Sequence, residues 1–156
     1  MKKILLTLVL MSSLLFSYSM DFDKESECLV RKMKVYKNPQ WVSKIELTDG
    51  KKLLFSSPKS MFEFYHQPGR WFDIGVKSEE DFKDILVTDY NSHLPINAKG
   101  AFYVYGSSIT SPAGDDLVPF KSYEEAQAFA SKYNGKRVFS FTDVKESLIR
   151  LLNNNL

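Results

Sequence analysis

Residues 98–141 read AKGAFYVYGSSITSPAGDDLVPFKSYEEAQAFASKYNGKRVFSF, and their order of runs, turns and caps sets the architecture. Ala101 to Tyr105 reads as a strand, and after a longer connection Leu117 to Phe120 reads as its partner. Ser122 with Glu125 forms a capping-box pattern, in which the side chains at N-cap and N3 satisfy each other's free backbone N–H groups. A helix is therefore expected over 123–133. Asn134-Gly135 supplies the left-handed stop, and Arg137 to Phe141 closes a β-β-α-β unit.

Working outward, residues 41–92 repeat that order. Trp41, Ser43, Ile45 and Leu47 alternate with Val42, Lys44, Glu46 and Thr48, which is the period of a half-buried strand with Lys44 and Glu46 turned to solvent. Asp49-Gly50 is expected to give a tight hairpin with two positive-φ residues, and Lys51 to Phe55 to return as partner. Ser57-Pro58 is an N-cap with proline at the first helical position. It predicts a helix over 58–66 with Met61, Phe62, Phe64 and Tyr65 on its apolar face and Pro68-Gly69 at its end. A helical turn over 78–84 and a buried strand at Ile85 to Thr88 complete the first unit. Sliding one half along the other so that Phe55 falls on Phe120 also puts Ser57 on Ser122, Met61 on Ala126 and Phe64 on Phe129, the pattern of an internal duplication. The connection over 91–97 is read as the joint between the units. From Asp143, Val144, Leu148, Leu151 and Leu152 fall at helical spacing, a last helix expected to pack on the second unit. The fold class is α+β: two small β-β-α-β units in tandem, 41–92 and 97–156, plus a C-terminal helix, with an irregular arm over 20–40.

At the start of the chain, Met1-Lys2-Lys3, the apolar run Ile4 to Leu15 and Ser17-Tyr18-Ser19 are the three zones of a secretory signal peptide. The run is too short to span a bilayer, though an uncleaved anchor is its alternative reading. Cleavage after Ser19 is expected, and no cysteine follows closely enough to take a lipid. The mature chain would then be periplasmic and free of the membrane. Cleavage removes Lys2 and Lys3 and no acid, which brings the 21 basic residues down to the number of the 19 acidic ones. A formally neutral chain has no reserve of positive charge for many phosphates, which argues against nucleic acid as a partner. The full chain has twelve Phe and eight Tyr, and all of them but Phe16 and Tyr18 remain to supply large buried areas for the small core of the mature chain.

Cys28 is the only cysteine, so no internal disulfide is available to an exported chain. No nucleophile elbow, triad spacing or phosphate-cradling glycine loop is present, and an enzyme is not expected. Asp115-Asp116 offers oxygens for a hard cation, but two adjacent carboxylates on a turn read as solvated.

Most of the mature chain, about residues 28–141, resembles the NosL family of exported copper-binding accessory proteins. The resemblance is carried by VTDYNSHLPINAKGAFYVYGS (87–107) running into SPAGDDLVPFKSYEEAQAF (111–129), and by KNPQWVSKIEL (37–47) with the DG hairpin. It implies two β-β-α-β units, as above, and a role in delivering copper during assembly of nitrous oxide reductase. It also points to two metal segments. The family's C-x-M or C-x-x-C-G-M appears as Cys28-Leu29-Val30-Arg31-Lys32-Met33, and its G-P-M-G followed by His or another polar residue as Ser111-Pro112-Ala113-Gly114-Asp115. Copper(I) takes thiolate and thioether donors, so Cys28 and Met33 are the candidate metal residues, while Arg31, Ala113 and Asp115 stand where soft ligands are usual. Cys28 can equally be a reactive thiol among cations or a relic, and Met33 a gap-filler in the core. His66, facing the negative end of a helix dipole, and His93, in a polar connection, are the other possible donors. The implied function is that of a periplasmic NosL-like protein which binds copper(I), with a copper-trafficking protein or metalloenzyme client as partner. Its rival is a divergent relative whose site has decayed and which acts as a protein-interaction module.

Overall fold

A computed structural model describes residues 17–154; the expected signal peptide lies outside this range up to residue 16. Its elements are β1 (Ser43–Leu47), β2 (Lys52–Phe55), α1 (Pro58–His66), β3 (Phe82–Thr88), β4 (Pro95–Asn97), β5 (Phe102–Tyr105), β6 (Leu117–Phe120), α2 (Tyr123–Lys132), β7 (Arg137–Ser140) and α3 (Glu146–Leu152). Two antiparallel sheets form, β2-β1-β3-β4 and β6-β5-β7. This is the α+β arrangement of two β-β-α-β units and a C-terminal helix.

Local chemistry explains the helix ends. Ser57 accepts from the Ser60 N–H with Pro58 in the first turn, and Ser122 accepts from the Glu125 N–H. After α2, Asn134 takes a left-handed φ of 58°. Gly135 follows where a Cβ would lie 2.6 Å from Val104 Cγ1 and 2.8 Å from Ala130 Cα, so only glycine lets the chain pass. In the first hairpin only Gly50 has positive φ, 89°, not the pair expected of Asp49-Gly50. The loop is longer by one residue: Leu47 N–H donates to the Lys51 carbonyl at 2.8 Å and Gly50 N–H to the Leu47 carbonyl at 2.9 Å, leaving a single left-handed position.

Four expectations change in the folded chain. Lys44 is on the face of β1 opposite Ile45, but it is only 3% exposed. The chain on either side of the expected cleavage point crosses that face: the Lys44 ammonium pairs with Asp21 of the arm at 3.3 Å and donates to the carbonyl of Ser19, the last residue before that point. The arm is likewise built in: Glu27 bridges Lys34, and Leu29 N–H donates to the Leu54 carbonyl at 2.8 Å on β2. Part of the expected joint is β4, paired with β3 through Val87 and Ile96. Finally, α3 packs on α1 and not on the second unit alone. The reason is α1 itself, whose Phe62 meets Tyr103 (5.2 Å between ring centres) and Phe141 (5.0 Å), drawing the chain before α3 over the first unit.

The main core accordingly runs through both units, from Ile45, Phe55 and Val87 to Leu117, Ile149 and Leu152. A second cluster of Val104, Val118, Phe120, Ala126 and Phe129 takes Trp41 from the first unit. No helix among the described residues is long and apolar enough to cross a membrane.

Candidate metal site

The Cys28–Met33 segment is a closed loop. Cys28 N–H donates to the Met33 carbonyl and Lys32 N–H to the Cys28 carbonyl, both at 2.9 Å, with Lys32 left-handed at φ 57°. Cys28 is 0% exposed, and its Sγ accepts from Arg31 N–H at 3.2 Å and from Ser56 Oγ at 3.4 Å. Met33 packs half-buried against the main core. The two candidates therefore share one loop, with the thiol set immediately before the head of α1.

Arg31 ties this loop down. Its guanidinium donates to Glu63 Oε2 at 2.8 Å and Asn153 Oδ1 at 2.7 Å, with Nε 3.4 Å from Ser60 Oγ. Glu63 also pairs with Arg70 at 3.0 Å and accepts from Asn153 Nδ2 at 3.0 Å. Hydrogen bonds to charged groups contribute about 1.5–3 kcal/mol each, so the guanidinium is a latch across the loop, α1 and the end of α3. Arg31→Ala should expose the thiol and speed modification of Cys28 by a disulfide reagent in the native protein by about tenfold, the equivalent of about 1.4 kcal/mol in the opening equilibrium. An unchanged rate in a folded variant would show that opening does not pass through Arg31.

The second segment is a turn in which Ser111 and Gly114 bond to each other's backbone, with Gly114 at φ 87°. Ser111 Oγ donates to Asp116 Oδ2 at 2.7 Å, and Asp116 Oδ1 accepts the Lys59 and Leu117 N–H groups at 2.8 Å each. Asp116 is buried, against the expectation of a solvated Asp115-Asp116 pair; only Asp115 is exposed. Burial raises the Asp116 pKa even though its hydrogen bonds pull it down. Lys59 donates from Nζ to the Ala113 carbonyl at 2.7 Å and to the Leu152 carbonyl at 3.3 Å, and burial lowers its pKa. The two segments thus meet α1 at the same end, one at Ser56, Ser60 and Glu63, the other at Lys59.

The histidines are elsewhere. His66 closes α1 about 12 Å along the helix from Pro58, at 1.5 Å per residue. Its Nε2 lies 2.8 Å from the Val144 carbonyl and its ring stacks on Phe62. A carbonyl can only accept, so Nε2 carries the proton, and burial lowers the pKa. The expected cation at the helix end is replaced by a neutral imidazole tie. His93 is exposed in a left-handed turn at φ 58° and borders a cleft of about 780 Å³ that Met20, Trp41 and Tyr90 also line and Cys28 does not. Among the described residues no group of three or more His, Cys, Asp and Glu is placed to hold a metal ion.

The sequence profile of the NosL family covers residues 19–149. The chain belongs to the NosL family. The crystal structure of the copper chaperone NosL from Shewanella denitrificans superposes with a TM-score of 0.70 at 24% identity, over 84% of this chain and 98% of that one. That likeness is one of fold. No curated protein matches the chain. Within the NosL fold described above, the Cys28–Met33 and Ser111–Asp116 segments both reach the head of α1. Lys59, Asp116 and Asn153 were the polar partners that sequence reading missed. Lys59 did carry a signal, since a basic residue in a helix's first turn opposes the dipole.

Proposed function

We propose that this NosL-family chain is an exported accessory protein that binds copper(I) through Cys28, with Met33 as a weaker second donor, and acts by metal or partner binding and not by catalysis. The observation that carries the reading is the meeting of the Cys28–Met33 loop and the Ser111–Asp116 turn at one end of α1. A copper-trafficking protein or a metalloenzyme client, nitrous oxide reductase in the family's setting, is the proposed partner. The periplasm is the proposed compartment, and exposed Ser17, Tyr18 and Ser19 beside buried Met20 suit cleavage after Ser19.

The rival reading, an interaction module with a decayed site, is favoured by Arg31 and Lys59. Both cations stand at the place where soft donors would converge, and Coulomb repulsion opposes a further cation there.

Copper(I) titration decides between them. The protein is taken from the periplasmic fraction, where its first residue should be Met20, and kept reduced. One copper(I) should bind, Cys28→Ser should weaken binding by about a hundredfold or more, and Met33→Leu should cost less, because the thiolate donates more strongly and neutralises charge. Binding that survives Cys28→Ser would move the site elsewhere, and a chain held in membranes with Met1 intact would rule out export by cleavage.

A further inference from the structure

The most unusual group at the head of α1 is Lys59. It is 2% exposed, yet among the described residues its ammonium makes no ion pair. Lysine is almost never this buried unless paired, and a cation in the first turn of a helix faces the positive end of the dipole. The carboxylate that accepts the Lys59 backbone N–H, Asp116, is already committed, its oxygens also taken by Leu117 N–H and Ser111 Oγ. Nζ is instead held by two neutral carbonyl oxygens, Ala113 at 2.7 Å and Leu152 at 3.3 Å. One belongs to the turn that stands in place of the family's methionine segment, the other to the last residue of α3.

We infer that Lys59 is a specificity-determining residue, an internal cation seated between the Cys28 loop and the Ala113 turn that holds this junction against a metal ion. The inference rests on copper(I) as the cargo. The ammonium takes the carbonyls of the Ala113 turn and so fixes that turn against α1. It also adds a positive charge to that of Arg31, whose guanidinium reaches Ser60 on the same helical turn. Arg31 is offset by Glu63, so the unpaired Lys59 ammonium, with the helix N-terminus, is what makes the junction unfavourable to copper(I), and the thiol and thioether of the candidate site lie on the Cys28 side. Weak, easily released metal is the consequence, and Lys59 sets how weak.

Two substitutions separate charge from donor. Lys59→Gln removes the charge and keeps an N–H for the Ala113 carbonyl; Lys59→Met removes the charge and adds a thioether of similar length. A unit charge within about 10 Å at an effective dielectric of about 20 changes cation affinity roughly tenfold. Competition with a copper(I) chelator should therefore show about tenfold tighter binding for Lys59→Gln and tighter still for Lys59→Met, with Lys59→Arg no tighter than the parent. Parental affinity in folded Lys59→Gln and Lys59→Met overturns the inference. If neither variant folds, the unmodified protein decides: one equivalent of copper(I) should shift the Lys59 Hε and Cε nuclear magnetic resonance signals, and undisturbed signals overturn it. A parent with no Cys28-dependent copper(I) binding would sink the proposed function alone, because a gain of binding in Lys59→Met would still support Lys59 as the barrier, and no gain would overturn that too.

Discussion

Arg31→Cys, Ala113→Met and Asp115→His, introduced together, should raise copper(I) affinity by several orders of magnitude. The changes add a thiolate, a thioether and an imidazole and remove one cation. All three positions belong to the two segments that the fold brings to the head of α1. Arg31 lies in the loop that carries Cys28, and the Ala113 carbonyl is 2.7 Å from Lys59 Nζ in the first turn of that helix. Loss of the guanidinium leaves Glu63 paired with Arg70 and bonded to Asn153, so the helix surface is not left with a bare carboxylate. Each single change should help by less than its share, because a donor is worth most when the coordination shell is otherwise complete. Competition against a copper(I) chelator measures the gain. Lys59→Met on top of the triple should extend it further. A triple variant no better than the parent would mean that the two segments approach too loosely to share an ion, and would favour the interaction-module reading.

The largest stability effect is expected at Asp116. Asp116→Ala leaves the buried N–H groups of Lys59 and Leu117 and the hydroxyl of Ser111 without their acceptor. Each such group costs about 1–3 kcal/mol, so a loss of about 3 kcal/mol or more is expected, seen as a fall in Tm of roughly 10 °C. Asp116→Asn keeps one acceptor oxygen for the two N–H groups and should lose much less. The pH dependence has a definite sign. Burial raises the Asp116 pKa above the ordinary 3.8, so between that value and the raised one the folded state holds a proton that the unfolded chain has released. Its contribution to stability is therefore largest below the unfolded pKa and is lost as pH rises through the folded one. Carboxylates such as Asp21, Glu46 and Glu146, whose pKa values are lowered by hydrogen bonds and cations, act in the opposite sense. They are common to both proteins and cancel in the comparison. The parent should thus gain on Asp116→Asn as pH falls through the window, as followed by chemical unfolding. Equal stability of parent and Asp116→Ala would show that the Ser111 turn is not anchored through this carboxylate.

The Cys28–Met33 and Ser111–Asp115 segments were singled out in the sequence by their resemblance to the family's metal segments, and in the fold both reach α1. What they meet there was not legible. Arg31 finds Glu63 and Asn153, and Lys59 finds Ala113 and Leu152, across separations of up to 122 residues in sequence. Nothing in the period or composition of either segment encodes those partners. The two histidines were equally open in the sequence, and only packing sent His66 to the Val144 carbonyl and His93 to an exposed turn.

Elements whose cause is local are legible in the residues alone. Ser57-Pro58 and Ser122 with Glu125 start helices because the cap and the free N–H groups are three residues apart. Asn134-Gly135 stops α2 because the left-handed position and the close pass follow it at once. Leu117 to Phe120 is a strand in both readings. Tertiary structure alone decided which surfaces were left to water. Lys44 alternates correctly with Ile45, yet is buried because Ser19 and Asp21, on either side of the expected cleavage point, lie across its face. The helix α3 carries a generic apolar stripe, and α1 is its partner where Phe62 packs against Tyr103 and Phe141, the latter in the chain leading to α3. Asp116 sits beside an exposed twin, and its burial follows from the approach of Lys59 in α1, far away in the chain. Periodicity states which residues share a face; which neighbour covers that face is set by long-range packing, because burial is gained between segments and not within one.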